Sequence, residues 1–261
     1  MPILALSTGS LHNYGLNRTW AFAAEAGFDA VEVMIDGKWD TRQPEYLRQL
    51  MAEQRLPIAA FHTPFRPIAG FGADYPACVR RTLELAREVG AQTVVAHPEL
   101  ANGTDHSEWL LAQQEELRAT GGPVLAVENM PYVPLMRRTR QHTYVSSAKY
   151  RTCSVEEVAR FPAITFDTTH FATAEVDLLD AYSALRERVR HIHLSDFAAG
   201  KEHRLPGKGD LHLDLFLLAL TESGYDGVIT VELAPDALDA GDDAAVRAHL
   251  RAVVAFCREC M

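Results

Sequence analysis

The sequence predicts an α/β fold, a (β/α)8 TIM barrel formed by a single domain that occupies residues 1–261. Three observations lead to this prediction. Short apolar runs alternate with helical patterns, the alternation gives eight strand–helix units, and most of the runs end in a carboxylate or an imidazole. Strict βα alternation implies a parallel sheet. Eight such units in 261 residues suggest that the sheet closes into a barrel.

The strands and helices can be assigned in order from their apolar periodicity. The eight strands are ILALS, AVEVMI, IAAFH, TVVAH, VLAVE, ITFD, VRHIHL and VITVE. Helices are expected around Arg18 to Ala26 and in EYLRQLMAEQ, CVRRTLELAREVG, SEWLLAQQEELRA, VEEVARF, LLDAYSALRER, LDLFLLALTESG and AAVRAHLRAVVAFC. Gly27, Gly90 and Gly224 stand between a helix and the next strand, where a C-cap glycine belongs. A doubly wound open sheet is the alternative, but the first βα turn lacks a GxGxxG phosphate fingerprint.

Composition and charge limit the classes of partner. A net charge of -10 and a pI near 5.5 argue against broad binding of nucleic acid or anionic membranes, which a basic surface would support. No apolar run approaches the ~20 residues that are needed to span a bilayer. The four cysteines include a lone CxxC at Cys257 and Cys260, which is a weak zinc signal. We therefore expect free thiols in a reduced, cytoplasmic protein whose partner is a small molecule.

The polar residues at the strand ends are the main functional signal. In chain order they are His62, His97, Glu128, Asp167 with His170, His193 and Glu232. Burial of an unpaired ionised group is costly, so this series indicates that the polar groups meet at one point. Converging oxygen and nitrogen ligands hold a divalent metal. In a TIM barrel that point is the active site, which lies at the carboxyl ends of the strands.

These motifs resemble those of the xylose isomerase-like TIM-barrel superfamily, which includes sugar isomerases, sugar epimerases and the endonuclease IV family of apurinic DNA-repair enzymes. The resemblance covers nearly the whole chain, and its most specific parts are FDTTH, ENMP, HIHLSD and HRLPGKGDL. It implies that one divalent metal is bound by a set of four residues, Glu128, Asp167, His193 and Glu232. One imidazole and three carboxylates suit Mn²⁺, Mg²⁺, Co²⁺ or Zn²⁺ without selecting among them. Barrels of this superfamily often associate, so a homo-oligomer stays open.

The resemblance further implies a metal-dependent sugar isomerase or epimerase. Glu128 and Glu232 would form an acid–base pair on opposite faces of the substrate, moving a proton from and to the carbon next to a carbonyl. A metal at the substrate oxygens would stabilise the enediolate that forms. The partner is then a small sugar, a sugar phosphate or a related polyol ketone, and the cofactor is one or two divalent ions per chain.

The remaining histidines support a second hypothesis, a zinc-dependent phosphodiesterase that resembles endonuclease IV. In that pattern His62 and His97 join Glu128 around a first zinc ion, and Glu128 bridges to a second. His170 and His203 belong to a third. A two-metal site also stays open, and two close metals suit phosphoester hydrolysis. It would be made from His62, His97, Glu128, Asp167, His193 and Glu232.

One position departs from the endonuclease IV pattern. The third zinc site also needs an aspartate two residues before His203, where this chain has Lys201. A cation cannot ligate a metal, so a complete trinuclear cluster is in doubt. Glu202 or Asp196 could take the place of the aspartate, although neither sits at the matching position.

Roles other than metal binding stay open for several histidines. His62 and His97 could bind the substrate or a neighbouring loop without touching a metal. His170 could orient a neighbouring ligand or a substrate hydroxyl. His203 with Arg204 could contact the substrate, because an arginine suits an anionic or hydroxylated group.

Two positions inside the predicted barrel have simpler interpretations. Glu32 could bind a substrate hydroxyl, but a structural ion pair is the favoured interpretation, and His191 is expected to be a packed core residue. A third functional hypothesis is a catalytically silent barrel that binds a sugar for regulation. The intact acid–base pair argues against it.

Two long loops are expected to lie over the same mouth of the barrel. They run from Asn129 to about Cys153 and from Ser195 to about Leu211, and loops of this length are usually functional. The first holds five basic side chains between Arg137 and Arg151. This stretch could grip a phosphate or a nucleic-acid backbone, but a solvated lid or an oligomer contact is favoured. Trp39 and Phe65 could form an apolar wall against a sugar ring, or could serve only in packing.

Overall fold

The computed structural model describes residues 1–138 and 144–261, and the side chains of 136–138 and 144–147 are also left undescribed. The strands are β1 (Ile3–Ser7), β2 (Ala30–Met34), β3 (Ile58–His62), β4 (Thr93–Ala96), β5 (Val124–Glu128), β6 (Pro134–Arg138), β7 (Tyr144–Ala148), β8 (Ile164–Asp167), β9 (Val189–Leu194), β10 (Asp196–Ala198), β11 (Lys201–Arg204) and β12 (Val228–Val231). The helices are α1 (Leu16–Ala26), α2 (Pro44–Gln54), α3 (Tyr75–Val89), α4 (Ser107–Thr120), α5 (Val155–Val158), α6 (Thr168–Thr173), α7 (Leu178–Leu185), α8 (Leu213–Glu222) and α9 (Asp243–Cys260).

Eight parallel strands close the barrel in the order β1-β12-β9-β8-β5-β4-β3-β2. β1 pairs with both β2 and β12, so the sheet has no free edge in the barrel. The predicted (β/α)8 TIM barrel is confirmed. Each of the eight predicted strands lies within one residue of an observed strand.

Side-chain alternation along the strands separates an apolar outside from a polar inside. Successive residues of a strand point to opposite faces of the sheet. On β9, Ile192 and Leu194 join the main apolar cluster that packs against the helices. His191 and His193 point the other way, where they contact the buried Glu32 of β2. The barrel interior therefore offers a buried space into which polar side chains project from several strands.

Glycines end two of the helices as the sequence predicts. Gly27 after α1 and Gly90 after α3 are C-caps in the left-handed region, at φ 91° and 84°. This conformation has no steric cost for glycine. Gly224 also has a positive φ, 74°, but it follows the C-cap of α8, which is Ser223.

The two long loops contain secondary structure that the sequence patterns did not predict. β6 and β7 form an antiparallel hairpin in the first loop, and β10 and β11 form another in the second. These four strands lie outside the barrel sheet, so they lack the apolar pattern of a buried strand. Two helices outside the loops also differ from the prediction: α6 begins directly after β8 and was not predicted, and α5 ends at Val158, three residues before the predicted end. The predicted basic stretch falls partly on residues 139–143, outside the described residues.

Asp196 fixes the loop that follows β9. Its Oδ2 accepts from the backbone N–H of Gly209 at 2.9 Å, and its Oδ1 accepts from those of Phe197 at 2.9 Å and Leu211 at 3.1 Å. A Cβ at Gly209 would clash with this carboxylate, so the loop requires glycine there. Because Asp196 is fully buried and already holds three backbone donors, it does not supply the missing carboxylate of a third metal site.

No helix among the described residues is long and apolar enough to cross a membrane. The four cysteines are free thiols, as the sequence predicts. Burial raises the pKa of Cys257 to about 12. The thiolate, which is the nucleophilic and metal-binding form, is therefore disfavoured at this position.

The aromatic packing under the helices leads to a stability prediction. Phe166 is fully buried, and its ring centroid lies 4.7 Å from that of Phe171 and 5.2 Å from that of Phe216. We expect Phe166→Ala to lower the free energy of unfolding by about 3–5 kcal/mol, because it leaves a cavity. Urea unfolding followed by circular dichroism measures the change. Leu215→Ala on α8, where the side chain is 46% exposed, is the control and should change stability by less than about 0.5 kcal/mol. Equal effects would contradict the prediction.

Candidate metal centre

Strand register brings the predicted polar residues together at the carboxyl ends of the strands. Asp167 of β8 is the neighbour of His193 on β9, and Thr230 of β12 lies on the other side of His193. Glu128 ends β5, and Glu232 follows β12. One ligand atom from each of the four predicted metal ligands lies within 4.8 Å of the others.

Glu128 is the centre of the polar cluster. Its carboxylate is only 1% exposed. Oε2 lies 2.9 Å from His97 Nε2 and 3.3 Å from His62 Nε2. Oε1 lies 3.0 Å from His193 Nδ1. The carboxylate therefore bridges two groups, one formed with His62 and His97 and the other with the remaining ligands.

His193 contacts carboxylates from three segments of the barrel mouth. Besides Glu128, its Nδ1 lies 3.1 Å from Glu232 Oε2 and 3.8 Å from Asp167 Oδ2. The imidazole is fully buried. Two glutamates from non-adjacent strands thus approach one nitrogen atom.

Asp167 has one satisfied and one unsatisfied oxygen. Oδ1 accepts from Thr169 N at 2.8 Å, Thr169 Oγ1 at 2.9 Å and His170 N at 2.8 Å. Oδ2 is buried and has no hydrogen-bond partner among the described residues. A buried carboxylate oxygen without a partner is costly. A divalent cation among these ligands would supply the missing partner, so the residues fit a metal.

The orientation of three histidines also fits a metal. A backbone carbonyl only accepts, so the ring nitrogen that faces it must carry hydrogen. His62 Nδ1 lies 2.7 Å from the Thr63 carbonyl, and His170 Nδ1 lies 2.7 Å from the Asn129 carbonyl. His193 Nε2 faces the Glu32 carboxylate at 3.2 Å. When neutral, each ring directs its other nitrogen, the one with the lone pair, towards the clustered polar groups.

The charges of the cluster shift its pKa values strongly. Burial alone would raise the pKa of Glu128, but His193 and His97 hold it well below the ordinary value. Burial likewise opposes the ionisation of Glu232, and His193 nevertheless lowers its pKa to about 2. Burial lowers the pKa of His193, but the carboxylates of Glu32 and Glu128 raise it well above the usual range. The glutamates are thus ionised at neutral pH, which is the form that binds a metal.

A third group of ligand atoms lies beside the first two. Asp167, His170 and His203 each place one ligand atom within 4.8 Å of the others. Glu202 Oε1 is 3.9 Å from His170 Nε2 and is buried without a hydrogen-bond partner in the described part of the chain. Lys201, at the position where endonuclease IV has an aspartate, is exposed. Glu202 therefore places a buried, unpaired carboxylate oxygen beside His170 of this group.

The hairpin β10–β11 positions His203 and Arg204. His203 has a positive φ of 57°, its Nδ1 lies 3.2 Å from Ser195 Oγ, and its carbonyl accepts from Ala234 N. A positive φ in a histidine is uncommon and strained, and such strain clusters at functional sites. The guanidinium of Arg204 pairs with Asp236 through two contacts of 2.8 and 3.0 Å. The predicted contact of Arg204 with substrate would therefore compete with this ion pair.

Glu32 lies deeper in the barrel than the predicted ligands and contacts one of them. It is fully buried, and its Oε2 lies 2.8 Å from His191 Nε2 and 3.2 Å from His193 Nε2. His191 Nε2 also lies 3.0 Å from Thr230 Oγ1. The structure therefore has the ion pair that the sequence favoured for Glu32. A carboxylate behind a metal-binding histidine fixes its tautomer and orientation.

Two residues at the site were missed by sequence reasoning. The Asn129 side chain accepts from Asp167 N at 2.7 Å and donates to the Asp167 carbonyl at 3.1 Å. Its place in ENMP, directly after the predicted ligand Glu128, could have indicated that Asn129 lies at the site. The Tyr75 hydroxyl accepts from His97 N at 2.7 Å. Tyr75 lies 22 positions before His97, and no local pattern indicates this contact.

The two candidate apolar wall residues differ in position. The ring centroid of Phe65 lies 5.2 Å from that of His62 and 5.1 Å from that of His97. Trp39 is 63% exposed and lies beside Tyr46, with the ring centroids 6.1 Å apart. Only Phe65 therefore has a ring against the cluster among these aromatic contacts.

The closed barrel and the ordered ligand set agree with the comparison of the whole sequence with known families. The chain belongs to the xylose isomerase-like TIM-barrel family, whose sequence profile matches residues 20–253. An uncharacterized protein of Mycobacterium tuberculosis is 26% identical over 247 residues, which covers 88% of both chains. An inosose dehydratase of Mesomycoplasma hyopneumoniae is 33% identical over 95 residues, or 29% of this chain and 32% of that protein.

Solved structures share the fold at low sequence identity. A 3-keto-D-glucoside 4-epimerase from E. coli superposes with a TM-score of 0.71 at 18% identity, covering 100% of both chains. An AP endonuclease of family 2 from Brucella melitensis also has a TM-score of 0.71 at 18% identity, covering 98% of this chain and 99% of that one. A D-tagatose 3-epimerase-like protein has a TM-score of 0.66 at 22% identity, covering 98% of both. At these identities the likeness shows the fold.

The contact between Glu32 and His193 leads to a prediction about metal affinity. We expect Glu32→Gln to weaken binding of Mn²⁺ or Zn²⁺ about 10–100-fold, because a neutral amide holds the imidazole less firmly in its ligand orientation. Competition titration with a chromogenic chelator measures the affinity. Glu99→Gln is the matched control, since Glu99 is a buried glutamate whose carboxylate contacts Arg151 and Thr152. Equal affinity in Glu32→Gln and the control would refute the positioning role.

Proposed function

We propose that this protein is a divalent-metal-dependent isomerase or epimerase of sugars or related polyol ketones. One observation carries the proposal: Glu128 and Glu232, from non-adjacent strands, approach His193 Nδ1 at 3.0 and 3.1 Å. Two largely buried carboxylates in one site can serve as the base and the acid that proton transfer next to a carbonyl requires. The fold shared with a 3-keto-D-glucoside 4-epimerase and a D-tagatose 3-epimerase-like protein supports this choice.

The metal would be held by the four predicted ligands, Glu128, Asp167, His193 and Glu232. The unpaired Oδ2 of Asp167 and the tautomer of His193 are the features that favour a metal at this place. When bound, a divalent ion acts as a Lewis acid for the negative charge that develops on the substrate oxygen.

The two glutamates would carry out the proton transfer. One carboxylate removes the proton from the carbon next to the carbonyl, and the C–H electron pair becomes the double bond of an enediolate. Because both carboxylates are ionised in the free site, the other glutamate must first take up a proton from solvent as the substrate binds. It then delivers this proton to the opposite face and inverts the carbon. Both side chains are largely buried, which limits the access of water to the enediolate.

A zinc-dependent phosphodiesterase is the second candidate, and the second group of ligands favours it. His62 and His97 share Glu128 with the four-residue group, so two ions could lie close together. Two close metals stabilise both the attacking and the leaving oxygen of a phosphoester. The exposed Lys201 and the net charge of -10 count against an enzyme that acts on DNA.

The proposal predicts the loss of proton exchange in two variants. We expect Glu128→Gln and Glu232→Gln to slow the exchange of solvent deuterium into a ketose by about 10²–10⁴-fold, because an amide cannot accept the proton. NMR of a ketose panel in D₂O with the metal-loaded protein measures the rate. Glu99→Gln should retain the wild-type rate. The absence of exchange into any ketose with wild-type protein would count against the proposal.

Metal content separates the two candidates. For protein purified without chelator or nickel resin, we expect elemental analysis to find about one divalent ion per chain, retained in His249→Ala and lost in His193→Ala. His249 is the control because it lies on α9 and belongs to none of the groups of ligand atoms. Two or three zinc ions per chain, together with cleavage of abasic-site DNA that His97→Ala abolishes, would establish the phosphodiesterase instead.

A further inference from the structure

A cavity of about 640 Å³ opens at the carboxyl end of the barrel, beside the polar cluster. Its walls are the loops that follow β1, β2, β3 and β4, and none of the grouped metal-ligand candidates lines it. Its surface is mainly apolar and includes Leu11, Tyr14, Ile35, Ile68 and Leu100. Ligand pockets have this size and are lined mainly by apolar side chains.

Phe65 connects this cavity with the cluster. Its ring lines the cavity and also lies against the rings of His62 and His97. The side chain is 51% exposed. A half-exposed phenylalanine forgoes part of the free energy of burial, which a ligand covering the ring would restore. A ligand at the cluster could therefore extend over Phe65 into the cavity.

The charged groups of the cavity walls balance one another. The lining includes two carboxylates, Asp36 and Asp40, and two cations, Lys38 and Arg66, so the formal charges cancel. The Lys38 amine donates to the carbonyls of His12 and Tyr14. Asp36 accepts from Lys38 N at 2.8 Å, and Asp40 accepts from the backbone N–H of Leu16, the first residue of α1, at 3.4 Å. A neutral occupant fits these walls better than a phosphate.

We infer that the substrate is a sugar that carries an apolar aglycone, with the sugar at the cluster and the aglycone in the cavity. The inference rests on the proposed function and specifies its substrate class. A free ketose has a hydroxyl on nearly every carbon, and burying these against apolar walls without partners is unfavourable. An aryl or alkyl group has no such cost and gains from burial.

The chemistry of a glycoside also defines where the reaction takes place. A glycosidic bond locks the anomeric carbon as an acetal, so this carbon offers no carbonyl. The carbon that exchanges its proton must then lie next to a ketone elsewhere on the ring. The substrate class is therefore a keto-glycoside with an apolar aglycone.

Binding of matched glycosides tests the inference. The probes are phenyl and methyl D-glucopyranosides and D-galactopyranosides, both anomers of each, titrated calorimetrically into the metal-loaded protein. We expect at least one phenyl glycoside to bind about tenfold or more tightly than its methyl partner. Ala101→Trp, at an exposed position that lines the cavity, should remove this preference while metal content stays unchanged. Ala119→Trp on α4, exposed and outside the cavity lining, is the matched control and should keep it.

The outcomes separate this inference from the proposed function. No phenyl preference in any pair, or a preference that Ala101→Trp leaves intact, overturns the inference even when ketoses exchange deuterium. Tighter binding of glucose 6-phosphate than of every phenyl glycoside also overturns it. A phenyl preference that Ala101→Trp removes supports the cavity assignment, even if no free ketose exchanges deuterium. The proposed proton transfer is contradicted, independently of the cavity, if a phenyl keto-glucoside does not exchange deuterium either.

Discussion

The burial of Glu128 among imidazoles is the constraint on which the site depends. An ionised carboxylate that is 1% exposed needs partners for both oxygens, and His62, His97 and His193 provide them. These histidines come from three different segments of the barrel. Since one carboxylate contacts all three, a change in the position of any of these strands would remove a partner from a buried charge. The cluster thus fixes strand ends relative to one another and also brings together atoms that could hold a metal ion.

The barrel tolerates such a cluster because its buried apolar side chains and its buried polar side chains lie on opposite faces of the sheet. The outward faces of the strands pack with the helices in one large apolar cluster, where Phe166 and Phe216 stack. The inward faces carry polar groups that pair with one another, such as Glu32 Oε2 with His191 Nε2 at 2.8 Å. Stability therefore comes mainly from the outer layer, whereas the inner layer keeps side chains in fixed orientations. That division suits a site in which ligand atoms must keep their positions.

The mouth of the barrel is also divided around its circumference. The ends of β5, β8 and β9, with Glu232 after β12, carry the four predicted metal ligands, whereas the loops after β1 to β4 wall the apolar cavity. Phe65 lies where the two parts meet. A ligand that occupies both parts would place its hydroxyl groups near the charged side chains of the cluster and its apolar groups against the apolar walls of the cavity. Recognition by such a mouth depends on the shape of the whole molecule, not only on its sugar.

The sequence by itself determined the barrel, the strand positions and the residues that converge, because period-two alternation and βα order are local properties that one chain displays directly. It also indicated the ion pair of Glu32. It could not predict the hairpin that carries His203, the reciprocal bonds of Asn129 with Asp167, or the contact of Tyr75 with His97. Only the tertiary structure decided these features and the cavity beside Phe65. The two contacts and the cavity depend on distances between segments that are remote in the chain, and the hairpin lacks the apolar pattern from which a buried strand is predicted.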